Sequence, residues 1–136
     1  MNGARLQMPE IILCLLVFAL CGCSKSSQPP TEFSKRISTA DRIVATNNYY
    51  ALGLDMSGAD VSNLTRAIAS AHKKTAGTDL DWSNPFIWNL KFFAETNQLA
   101  VIPTGYGEFS IEGISYRDGT GIMEALWKKL EADRTR

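Results

Sequence analysis

The sequence predicts an α+β fold, a small two-layer sandwich with an antiparallel sheet of about five or six strands and two helices in the order ββα-βββ(β)-α. Three observations predict it. Short runs between Arg42 and Tyr116 alternate apolar and polar residues at period two, the pattern of half-buried strands. The links between neighbouring runs are of hairpin length, which favours antiparallel pairing. Two further segments repeat apolar residues at helical spacing on one side only, as helices laid over one face of a sheet do. The chain's 136 residues suit a single domain.

Taken in order, Arg42 to Thr46 and Tyr50 to Met56 are the first two strands, with Asn47-Asn48-Tyr49 as the turn between them. Tyr50, Leu52, Leu54 and Met56 share one face at period two. Ser57 with Asp60 gives the S-x-x-D form of a helix capping box. Val61, Leu64, Ile68 and Ala71 then follow at helical spacing, with Lys73, Lys74 and Gly77 as end signals. Phe86 to Phe93 alternates again and pairs through Glu95-Thr96-Asn97-Gln98 with Leu99 to Ile102, which Pro103 is expected to end. Glu108 to Glu112 points Phe109 and Ile111 inward, and Gly113 separates it from Ile114 to Tyr116. Asp118-Gly119-Thr120-Gly121 introduces the last helix, with Ile122, Met123, Leu126, Trp127 and Leu130 on one stripe. On its outer face Glu124 and Lys128 form a favourable i,i+4 pair. Trp82, Trp88 and Trp127 lie in or beside apolar patterns and are expected in the core.

The amino-terminal segment follows a different logic. Arg5 supplies positive charge, and Ile11 to Leu20 is an unbroken run of ten apolar residues. A bilayer takes about 20 such residues to cross, but a run of this length suits the centre of a signal peptide. It ends at Leu20-Cys21-Gly22-Cys23, followed by the polar stretch SKSSQPP. Leu20 three before Cys23, with small Gly22 just before it, resembles the lipobox of bacterial lipoproteins over residues 1–23. Cys21 fits that pattern less well, because bulky Leu20 precedes it.

The resemblance implies cleavage before Cys23, a diacylglycerol on its sulfur and an acyl chain on its new amino group. It divides the chain into a signal peptide (1–22), a lipidated cysteine with a flexible tether (23–40) and one α+β domain (41–136). Cleavage would discard Cys14 and Cys21, so no internal disulfide is expected. The Ser, Pro and charge-rich composition from Ser24 to Thr39, with Phe33 and Ile37 as its apolar residues, reads as unstructured. Ser24 after the lipidated residue favours, in a diderm bacterium, the periplasmic face of the outer membrane.

Chemistry is sparse in the remainder. With 14 Lys+Arg against 14 Asp+Glu, the neutral balance argues against nucleic acid. His72, the single histidine, falls near the end of the first helix and reads as a surface residue. Ser70 and Lys73 match S-x-x-K, but Ser70 lies near a helix end rather than at the helix start where a nucleophile of that class sits. Asp79 and Asp81 have the opening spacing of a calcium loop, yet Asn84 stands where its turn glycine belongs. Glu95, Glu108 and Glu112 read as turn or solvent-face residues.

No cofactor, metal or catalytic residue is expected beyond the lipid on Cys23. The best recognition signal is aromatic: Tyr106 between Gly105 and Gly107 at a loop tip, and Tyr49-Tyr50 at the first hairpin. The expectation is a non-catalytic envelope lipoprotein that binds a protein partner. The alternatives are a structural lipoprotein without a specific ligand and a small carboxylate-dependent hydrolase.

Overall fold

Apolar residues at every second position of successive strands build one buried sheet face, and the helices close over it. The computed structural model describes residues 27–47, 49 and 52–135. The elements are α1 (Thr31–Ser38), β1 (Arg42–Asn47), β2 (Leu52–Ser57), α2 (Ala59–Ala69), β3 (His72–Lys73), β4 (Trp88–Ala94), β5 (Asn97–Gly105), β6 (Glu108–Ile111), β7 (Ile114–Arg117) and α3 (Ile122–Arg134). The strands form one seven-stranded sheet in the order β2-β1-β4-β5-β6-β7-β3. Every neighbouring pair is antiparallel. The α+β sandwich is therefore as expected, with a third helix and a short extra edge strand.

Ile43 and Ala45 of β1, Trp88, Leu90 and Phe92 of β4, Ile102 of β5, Phe109 and Ile111 of β6 and Tyr116 of β7 form the sheet side of the core. Val61, Leu64 and Ile68 of α2 and Met123 and Leu130 of α3 close it from above. Burying each such side chain contributes about 1.5–3 kcal/mol.

The first correction concerns residues 31–38, which form α1 instead of belonging to a flexible tether. Phe33 and Ile37, one turn apart, point into the core, and Ile37 is fully buried. Glu32 in the first turn and Arg36 in the last complement the helix dipole. Two apolar side chains do not hold an isolated helix, but a pocket supplied by the sheet does.

Pro103 lies inside β5 and does not end it. What stops there is the pairing on one side: β5 continues along β4 as Asn89↔Pro103, whereas its ladder with β6 reaches only Thr104↔Phe109. A residue without an N–H is tolerated where one neighbour has parted from the strand. The turn before β5 is Glu95-Thr96 alone, since Ala94 already pairs with Asn97.

α2 also begins differently. Its N-cap is Gly58 at φ 62°, with no side-chain cap, and Ser57 belongs to β2. The helix ends at Ala69, so His72 lies in edge strand β3, opposite Arg117 of β7.

Candidate functional site

Register alone brings the aromatic candidates to one end of the sheet. Thr46 of β1 pairs with Asn89 of β4, and Trp88 of β4 pairs with Thr104 of β5. Asn47 and Thr104 thus flank Trp88, and the chain leaves the sheet at both places in the same direction. Tyr49 follows two residues after Asn47, and Tyr106 two residues after Thr104. The segment that enters β4, with Trp82, runs between those two exits.

Asn47 fixes this arrangement. Its buried side-chain Nδ2 donates to the carbonyls of Pro85 (2.8 Å) and Ile87 (3.2 Å), and its Oδ1 accepts the Tyr49 N–H at 3.0 Å. The amide therefore ties the β1–β2 connection to the segment preceding β4. That segment is braced internally: Asp81 Oδ1 accepts the N–H and hydroxyl of Ser83, and Asn84 Oδ1 accepts the Phe86 N–H. The hydrogen bonds from Ser83 hold the Asp81 carboxyl below the usual carboxylate range. Between the two segments lies a cleft of about 520 Å³ lined by Tyr49, Trp82, Pro85, Ile87 and three asparagines, Asn47, Asn84 and Asn89. Tyr49 is 73% exposed at its rim.

On the other side of Trp88, Tyr106 occupies a two-residue turn with Gly107, between Gly105 and Glu108. Both turn residues have positive φ, 55° and 80°, as a type I′ turn requires. The Tyr106 ring lies against Trp127 of α3, centroids 4.6 Å apart, and stays 47% exposed. The last turn of α3 reaches the same sheet end: Trp88 Nε1 donates to Glu131, and the Arg134 guanidinium stands over the Phe86 ring at 4.8 Å. Trp88 is the core residue the sequence suggested, whereas Trp82 and Trp127 are only partly buried.

A second cluster lies on the sheet face opposite the core. Glu108, expected at the surface, is 3% exposed. Lys74 Nζ approaches both its carboxylate oxygens at 3.0 Å, and Arg117 Nη2 donates to Oε1 at 2.7 Å. Cross-strand register explains the contact, because Glu108 and Arg117 are direct partners and the Lys74 N–H donates to Ser115 O. A shielded carboxylate is thus present, but two cations face it and not a second acid. Asp118 caps α3, its Oδ2 accepting the Met123 N–H at 3.1 Å.

Among the described residues, no three His, Cys, Asp or Glu side chains gather as a metal site would need. Also among them, no helix is long and apolar enough to cross a membrane. Cys23, with Leu20 and Gly22 before it, and Tyr50 lie outside the described residues. Asn47 was missed because its pattern reads as a turn; its sequence gives no sign that its amide is buried. Compared with protein-family models, curated proteins and solved structures, the chain matches none.

Proposed function

We propose that the chain is a lipid-anchored protein of the cell envelope whose α+β domain recognises a protein partner through the sheet end carrying Tyr49, Trp82 and Tyr106. The observation that carries this is the register that brings the exits of the two tyrosine-bearing connections to one end of the sheet, on either side of Trp88. Strand spacing separates their exits by about 10 Å, a span that one partner surface covers. Exposed tyrosine offers large contact area at little rotamer cost, and the asparagine-lined cleft beside it can orient polar groups of a partner. The domain binds without catalysis: its buried Glu108 is neutralised by Lys74 and Arg117, a structural use of a carboxylate. The lipobox-like residues Leu20, Gly22 and Cys23 support the anchor.

Photocrosslinking in intact cells tests the surface. A photoreactive residue replacing Tyr49 or Tyr106 in the full chain should yield a discrete adduct, and one replacing Thr96, at the other end of β4, should not. Equal adducts from all three positions would refute it. For the anchor, Cys23→Ala should abolish fatty-acid labelling and leave an unprocessed precursor, whereas continued labelling through Cys21 moves the site.

A further inference from the structure

The amino-terminal segment meets the fold at Ser27. Its carbonyl accepts the Lys73 N–H, and its Oγ lies 3.2 Å from His72 Nδ1, so the chain is already seated on edge strand β3 at that residue. Pro29 is buried two residues later, and α1 begins at Thr31. Ser24, Lys25 and Ser26 alone separate Ser27 from Cys23. Even fully extended, that link spans at most about 13–14 Å. The opposite edge, β2, lies six strand spacings away across the sheet, about 28 Å. A lipid held at Cys23 therefore brings the β3 edge to the bilayer and leaves β2 distant from it.

The side chains at this edge suit such a surface. Lys73 and His72 are exposed, and Arg117 exposes 66% of its side chain while donating to Glu108. With Lys74, Thr75 and Gly119 they line an open hollow of about 310 Å³. The nearby carboxylates are turned to other partners: Glu108 to Lys74 and Arg117, Asp118 to the start of α3, and Glu124 to Lys128. Lys25 adds a further cation within the link. Cations held within about 10 Å of anionic headgroups feel their potential, which decays over a Debye length.

We propose that the β3 edge, with Lys73, His72 and Arg117, is the membrane-facing surface of the domain and rests on the headgroup layer of a bilayer containing anionic lipid. This depends on lipid attachment at Cys23, as proposed above. The domain is thereby oriented and does not tumble on a long tether.

Site-directed spin labels on the full-length, lipidated protein in vesicles decide the matter. The processed chain would carry no free thiol, so Thr75→Cys beside β3 and Ser57→Cys at the β2 edge each introduce the sole labelling site. With a gadolinium-chelating headgroup lipid as relaxing agent, the label at 75 should relax several-fold faster than the label at 57. The contrast should be larger in vesicles containing phosphatidylglycerol than in purely zwitterionic ones. Equal relaxation at both positions overturns the orientation, and a contrast independent of lipid charge overturns the role of the cations. Mass spectrometry of the same samples separates the two levels. A chain without lipid on Cys23 refutes the anchor and this orientation with it, and a lipidated chain with equal relaxation refutes the orientation alone.

Discussion

Asn47 connects two backbone segments that share no ladder. Asn47→Ala would take this donor from the buried Ile87 carbonyl and the part-buried Pro85 carbonyl and release the Tyr49 N–H. An unsatisfied buried group costs about 1–3 kcal/mol, so a urea titration should show a loss in that range, with crosslinking at Tyr49 to the proposed partner falling in parallel. Tyr116 gives a pH dependence. Burial pushes its phenol up, and the nearby Glu112 charge adds to the effect. The folded chain therefore holds this proton more tightly than the unfolded one. The associated stability is complete below the unfolded value of about 10 and declines as pH rises above it. Tyr116→Phe should flatten that alkaline decline in denaturation curves from pH 8 to 11, and an unchanged slope would assign it to other groups. Glu108 shows how a residue off the core face can still be buried. Alternation correctly put it opposite Phe109, but the face opposite the core is not everywhere solvent, because the chain after β3 lays Lys74 over it.

At the scale of elements, α1 is the least expected feature and the easiest to probe. Ile37→Ala should destabilise the domain by about 2–5 kcal/mol, as for a fully buried aliphatic side chain, whereas a residue in a disordered link would change nothing. Thermal denaturation of the purified protein distinguishes these outcomes. Phe33 and Ile37 stand at i,i+4 spacing within a stretch whose composition reads as unstructured, and the pocket that receives them is built by residues far along the chain. Strands β4 to β7 were legible because each alternates over its own length and ends at a turn residue. Edge strand β3 was not, having only two residues and no pattern of its own. Pro103 reads in sequence as a stop signal for a strand, whereas in the fold it marks the parting of one neighbour.

For the whole molecule, the sandwich class was legible because period two and period 3.6 each recur in separate segments. The strand order was not, because nothing in the residues of β1 says that its second neighbour is β4. Under the lipid attachment proposed at Cys23, the seating of Ser27 on β3 would leave a link of only three residues between that lipid and the fold. The run from β4 to β7 has a consequence in time as well. It is a continuous meander closed by three two-residue turns, Glu95-Thr96, Tyr106-Gly107 and Glu112-Gly113. Such neighbours find each other before β1 can reach β4, whose paired residues lie some 40–50 positions apart. Glu112 holds φ 52° in the last of these turns, a conformation Asn adopts more readily. Glu112→Asn should therefore raise the refolding rate in a stopped-flow chevron and leave the unfolding limb nearly fixed, while Asn47→Ala should mainly accelerate unfolding. A refolding chain would then gain its four-stranded half first, and the sheet end carrying Tyr49 and Tyr106 would be complete only when β1 docks.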